Sequence, residues 1–154
     1  MDYSIPRCRV GLVRESLAKL RTSNRLPDSS AVFKLLGKHF LDCAREEFLV
    51  LCLDAKNDPI GWHVVSTGTL THALVHPREV FQAAILMNAA AVVIAHNHPS
   101  GDPTPSQEDR MLTTRLVSAG HLLGIRVLDH VVVGDGRYVS FADQGWIEPS
   151  AAQN

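Results

Sequence analysis

Apolar side chains recur at near-helical spacing over residues 7–21, where Val10, Val13, Leu17 and Leu20 predict an amphipathic helix that covers another element. The polar stretch RTSNRLPDSS interrupts the pattern. Asp28, Ser29 or Ser30 is then placed to cap a second helix running to about Phe40, with Val32, Leu35, Leu36 and Phe40 on its buried side. FLVLCLD, residues 48–54, is a continuous apolar run of strand length. AKNDPIG carries turn residues and WHVVSTG offers a second strand, so residues 47–66 read as a hairpin.

Further along, HPREVFQAAILMNAA sets Pro77 near a first helical position and predicts a helix over roughly residues 77–89. AVVIA follows as a short, fully apolar strand. From Ser106 to Leu123 the helical period returns, with Met111, Leu112, Leu116 and Leu122 expected inward and Gly124 as the stop. IRVLDHVVV, the turn GDG and RYVSFA supply two more strands. The order α-α-β-β-α-β-α-β-β predicts an α/β fold, a mixed β-sheet sandwiched by helices in one domain. No internal repeat or low-complexity segment is found, and PSAAQN at residues 149–154 reads as a loose tail.

Composition narrows the class. A chain of 154 residues with 45% hydrophobic and 20% charged residues matches one ordinary globular domain. No stretch reaches the roughly 20 continuous apolar residues of a membrane helix, and MDYSIPRCRV lacks the layout of a signal peptide, so the expected location is the cytoplasm. Cys8, Cys43 and Cys52 are widely spaced with no CxxC, which predicts neither a disulfide framework nor a thiolate zinc site. The net charge is −1, but residues 1–38 carry eight Lys/Arg against three Asp/Glu. That segment is either the solvated basic face of a helix or a region that attracts nucleic acid or an acidic partner.

The chemistry concentrates in AHNHPSGDPTPSQED, residues 95–109, which holds two histidines, three prolines and three acidic residues where a strand ends and a helix begins. Crevices at strand ends are where open α/β sheets bind ligands. His96 and His98 are two apart, so on a continuing strand both imidazoles lie on one face and can converge on one ion. Pro99, Pro103 and Pro105 stiffen the loop, Gly101 permits a bend, and Asp109 can return to the histidines. Two imidazoles, a carboxylate and an open fourth position describe a catalytic zinc site. Ser106 and Asp109 equally form an SxxD capping box, so a plain helix cap stands beside the metal reading.

HNHPSGDPTPSQED resembles the JAMM motif of the JAB/MPN metalloprotease superfamily, HxH, seven residues, then SxxD. With VHPREVFQAAILMNAAAVVIAHNHPSGDPTPS and IRVLDHVVVGDGRYVSFADQGWI, it resembles the RadC branch from about Arg45 to Ile147, some two-thirds of the chain. The resemblance implies a JAB/MPN architecture like that of cytidine deaminases, with His96, His98 and Asp109 as ligands of Zn2+. It also implies an upstream glutamate as general base, which REEF maps to Glu46, with Glu47 as the alternative, and Ser106 as a donor to the oxyanion. Adjacent strand residues face opposite ways, so only one of the two glutamates can face the ion. The implied domain division is a helical segment over residues 1–44 packed on a metal-binding domain over 45–148.

Asn97 stands where proteases of the wider superfamily carry Ser or Thr, which removes a reason to borrow their deubiquitinating activity. RadC-like proteins also carry an N-terminal helix-hairpin-helix region associated with DNA. Here some 44 residues precede the shared core without a clear GxG hairpin, and the chain resembles the short stand-alone form of mobile elements and prophages. Asp102, His76, Glu79, Asp129 and His130 are candidates for orienting the ligands, or are turn, cap and strand-edge residues. His39, His63, His72 and His121 read as isolated side chains, and Trp62 and Trp146 as packing. Three functional classes follow: a zinc hydrolase acting on a peptide or isopeptide bond of a protein substrate, a DNA-associated repair, recombination or phage-defence factor that touches nucleic acid through residues 1–38, and a scaffold.

Overall fold

A computed structural model describes residues 9–13, 28–68 and 75–148. The helix expected over 7–21 and the basic segment 1–38 lie largely outside them, as does the tail at 149–154. Residues 9–13 are not helical, and Val10 and Val13 are 72% and 88% exposed, so these two do not form the buried stripe that their spacing predicted.

Among the described residues the order is α1 (Ser29–Leu41), β1 (Glu47–Leu53), β2 (Pro59–Thr67), α2 (Pro77–Leu86), β3 (Ala91–Asn97), α3 (Gln107–Leu123), β4 (Arg126–Val133) and β5 (Tyr138–Ser140). This is the α/β sequence expected from the second helix onward. The strands form one mixed sheet in the order β2-β1-β3-β4-β5, with β3 and β4 parallel and every other pair antiparallel. Helices cover both faces, as in the JAB/MPN sandwich.

Strand parity sorts the core into two layers. Phe48, Val50 and Cys52 of β1 and Val92 and Ile94 of β3 pack with Val80, Phe81 and Ala84 of α2 and Leu112 and Leu116 of α3. The alternating set, Leu49, Leu51, Leu53, Val93 and Ala95, packs with Val32, Leu36 and Phe40 of α1. A sheet buried on both faces reads as continuous apolar runs, which is why FLVLCL and AVVIA show no alternation.

Local chemistry sets the helix ends. Asp28 caps α1 by accepting from the Ala31 N–H at 2.8 Å. Helix α2 stops at Leu86, short of the expected 89, because Asn88 takes a left-handed φ of 54°. Helix α3 ends at Gly124, whose φ is +69°. Leu112, Thr113, Leu116 and Gly120 form its buried face. Met111 and Leu122, expected inward, are 61% and 87% exposed because they lie off that stripe.

The loop after β3 is fastened to the end of β4. The His98 N–H donates to the Val133 carbonyl at 2.8 Å and the Asp135 N–H to the Gly101 carbonyl at 2.9 Å. Gly134 makes this approach possible, since a Cβ there would stand 2.3 Å from the Gly101 carbonyl oxygen and 2.7 Å from Pro103 Cδ. Gly134→Ala is therefore expected to destabilise the fold by about 1–3 kcal/mol, the usual cost of overpacking, as read by denaturant titration. An unchanged midpoint would show that the loop moves away without cost.

Candidate metal centre

His96 is the next-to-last residue of β3 and lies directly opposite Phe48 of β1, on the face that α3 covers. Its ring is fully buried and stacks on Phe48 with centroids 5.9 Å apart. His98, two residues on, returns to the same face. Helix α3 brings Asp109 to the pair from its first turn. His96 Nε2 lies 2.9 Å from His98 Nε2 and 3.4 Å from Asp109 Oδ1, and His98 Nε2 lies 3.6 Å from Asp109 Oδ2. Glu46 approaches from the residue before β1, with Oε1 4.0 Å from His96 Nε2. Glu46, His96 and His98 together form a cluster whose ligand atoms lie within 4.8 Å of one another.

Hydrogen bonds decide which nitrogens face this point. Thr113 Oγ1 sits 2.6 Å from the Asp109 carbonyl, which can only accept, so the hydroxyl proton is spent there. The same oxygen lies 2.6 Å from His130 Nδ1 and must accept from it. His130 is wholly buried, and burial followed by the nearby His96 lowers its pKa well below 6.5, so it is neutral and its Nε2 accepts. The proton between that atom and His96 Nδ1, 2.8 Å away, therefore belongs to His96. His98 Nδ1 donates to the Asp102 carbonyl at 2.7 Å. In the neutral form of each ring the Nε2 lone pairs then point at one another beside a carboxylate. Such an arrangement is relieved by a positive charge between the groups, a metal ion or a proton on one ring.

The titration shifts carry the same message. For Asp109, burial opposes the charge, but the contacts with His96 and His98 prevail and hold the carboxyl far below the ordinary range. The hydrogen bond to Asp109 raises the pKa of His98, against its own burial. A proton on His98 meets the demand when no metal does. The donor set fits zinc, with two imidazole nitrogens and one carboxylate.

Ser106 caps α3 and forms a capping box with Asp109. Its N–H and hydroxyl donate to Asp109 Oδ2 at 2.7 and 2.8 Å, leaving Oδ1 turned towards His96. The cap and the convergence on the histidines thus coexist in one residue pair.

Asn97, between the two histidines, faces the opposite side. Its Oδ1 accepts from the Glu47 N–H at 2.8 Å and its Nδ2 donates to the Arg45 carbonyl at 3.0 Å, extending the β1–β3 ladder one step past the Phe48–His96 pair. The Gly68 N–H donates to the Glu46 carbonyl at 2.8 Å. Glu46 is thereby fixed on three sides of its backbone and borders a cleft of about 410 Å³ lined by Ala44, Arg45, Gly68 and Pro99. Glu47 turns away and meets His39 of α1 at 2.6 Å.

The remaining candidates separate. His130 touches His96, while Asp129 bonds Ser140 Oγ and the Ala142 N–H at 2.7 and 2.9 Å and so anchors β5. His76 and Glu79 are the capping box of α2. Asp102 orients His98 through its backbone, and its carboxylate takes Thr104. Thr113 and Asn97 were not singled out as ligand-orienting residues in the sequence, and no signal there marks them: each is an ordinary polar residue whose partner is distant in the chain.

Over residues 26–146 the chain matches the RadC-like JAB domain. It belongs to this family. The match takes in α1, which begins upstream of the motif-bearing core. A UPF0758 protein of Symbiobacterium thermophilum is 54% identical over 133 residues, covering 86% of this chain and 56% of that protein. A UPF0758 protein of Methanosarcina barkeri is 49% identical over 116 residues, covering 75% of this chain and 51% of its own length. This RadC-like JAB domain thus spans about half the length of the curated relatives it matches. Among the described residues no helix is long and apolar enough to cross a membrane.

The pairing of His98 with Asp109 makes stability depend on pH. Asp109, lowered from 3.8, contributes stability that is present above 3.8 and lost as pH falls below it. His98, raised from 6.5, contributes stability that is full below 6.5 and lost as pH rises past it. In chelator-treated protein, the difference in melting temperature between the native chain and Asp109→Asn is expected to be largest between pH 3.8 and 6.5. The melting shift produced by added zinc is expected to grow as pH rises through 6.5, because the ion competes with the His98 proton.

Proposed function

We propose that this RadC-like JAB domain is a zinc-dependent hydrolase of JAMM type, a metallopeptidase or isopeptidase. The reading is carried by the meeting of His96 Nε2, His98 Nε2 and the Asp109 carboxylate at a point that a positive charge relieves, with the Glu46 carboxylate 4.0 Å from the same His96 nitrogen. His96, His98 and Asp109 would hold the ion. Zinc supplies a water whose pKa falls from ~15.7 towards ~7 and a Lewis acid for the carbonyl under attack.

The chain's own groups do the rest. Glu46 Oε1 takes a proton from the attacking water and returns it to the leaving amine. Asn97 and Gly68 hold the backbone on either side of that carboxylate, so it meets the substrate already placed. The His96–His130–Thr113 chain keeps His96 Nε2 free of its proton. Ser106 orients Asp109 in the resting site, and we assign its hydroxyl as donor to the oxyanion, a duty for which it must turn from Asp109 Oδ2. The cleft beside Glu46 admits the substrate chain.

The decisive experiment screens peptide, isopeptide and phosphodiester substrates with zinc-loaded protein beside Glu46→Gln. The variant is expected to keep its zinc and its fold and to lose about 10²–10⁴-fold in rate, the usual contribution of a general base. Lost zinc would make Glu46 a ligand, and equal rates would remove it from the chemistry. Ser106→Ala is expected to cost about 0.5–2 kcal/mol in stability as a lost cap. It is also expected to cost about 10²–10³-fold in kcat as a lost oxyanion donor. A variant that loses stability alone assigns Ser106 to the cap.

A further inference from the structure

We propose that His39, Cys43 and Glu47 form a second metal site, selective for a thiophilic divalent ion such as zinc, that ties the end of α1 to the start of β1. The three residues lie on the α1 side of the sheet, opposite the face that carries His96. Their donor atoms stand within 4.8 Å of one another, with His39 Nε2 2.6 Å from Glu47 Oε2 and 3.8 Å from Cys43 Sγ. Around a tetrahedral zinc with Zn–N and Zn–O near 2.0–2.2 Å and Zn–S near 2.3 Å, such atoms stand about 3.3–3.6 Å apart. The histidine and glutamate need to part by under about 1 Å, and the sulfur to close by a few tenths of an ångström on His39 Nε2 and by up to about 1.3 Å on the Glu47 carboxylate. One thiolate, one imidazole and one carboxylate make a mixed soft and borderline set, which favours zinc or cobalt over magnesium or calcium.

The surroundings hold the donors in place. The edge of the His39 ring packs against Trp62 of β2, with centroids 4.8 Å apart. Glu47 is fixed by the bond from its N–H to Asn97. Cys43 follows the C-terminal turn of α1 and directs its thiol back to the His39 carbonyl at 3.2 Å. It borders an open cavity of about 530 Å³ with Lys38, Phe40 and Pro99, which gives an ion a path from solvent. The thiol is no nucleophile as it stands, since burial and then the Glu47 carboxylate push it up to about 11. On metal binding the S–M bond replaces S–H and that proton passes to the buffer, while the proton that His39 Nε2 shares with Glu47 leaves this nitrogen for Nδ1 or the buffer.

Cobalt(II) tests the assignment, because a thiolate ligand adds a near-ultraviolet charge-transfer absorption that the His96, His98 and Asp109 set, lacking sulfur, does not produce. The full chain is expected to bind two equivalents and to show this absorption. Cys43→Ser is expected to abolish the absorption and one equivalent, while Cys8→Ser and Cys52→Ser keep both. His39→Ala and Glu47→Gln are expected to weaken zinc at this site by more than the roughly 10–100-fold typical of losing a group that only supports a ligand. Circular dichroism of each variant confirms its fold. Absence of the absorption at saturating cobalt, or its persistence in Cys43→Ser, would overturn the proposal and leave a hydrogen-bonded His39–Glu47 pair beside an ordinary thiol. Loss of only the sulfur-free equivalent would count against the first centre and not this one.

Discussion

The antiparallel register that sets Phe48 opposite His96 governs everything around it. Because side chains alternate along a strand, this one pairing sends His96 and, through Phe48, Glu46 to the α3 face. It sends Asn97 and Glu47 to the α1 face. A slip of one residue would either exchange the two glutamates or turn the imidazole of His96 towards α1, and either way would part Glu46 from His96. The register is held by full burial of β1 and β3 on both faces, since every alternate residue has a matching layer of helix side chains to meet.

Electrostatics then does what packing alone does not. Two imidazole nitrogens and a carboxylate crowded at 2.9–3.6 Å form a costly arrangement, and the protein supports it with a directed hydrogen bond from Ser106 to the carboxylate and bonds from the two imidazoles to the Asp102 carbonyl and to His130. Each of these bonds fixes the orientation of one donor. The negative potential that results makes the cluster a candidate for a cation, and the Glu46 carboxylate at its margin adds to it.

The hydrophobic pattern made most of the fold legible from the second helix onward, because strands buried on both faces and helices with capped ends leave unmistakable local marks. HxH and SxxD were legible for the same reason, as both are short-range patterns at element boundaries. The preference for Glu46 over Glu47 came from the family resemblance, with strand alternation allowing only one of them to face the histidines, and the geometry now separates their two directions. The rest depends on contacts between distant segments. His130 meets His96 only because β4 lies parallel to β3, and Thr113 joins them only through the docking of α3. His39 read as an isolated side chain because its partner Glu47 lies across a helix-to-strand connection, and the period linking the two crosses the end of α1. Met111 and Leu122 misled for the opposite reason: an apolar residue one step off a helical stripe looks the same in sequence as one on it.

Helix α3 contributes two things to the centre one turn apart, the Asp109 carboxylate and the Thr113 hydroxyl that terminates the histidine chain. A small slide of the helix along its axis would therefore withdraw a carboxylate and, in the same movement, release His130 to swap its proton from one nitrogen to the other. His96 would then present N–H where it now presents a lone pair. The placement of the carboxylate and the free nitrogen of His96 thus both depend on one and the same docking of α3.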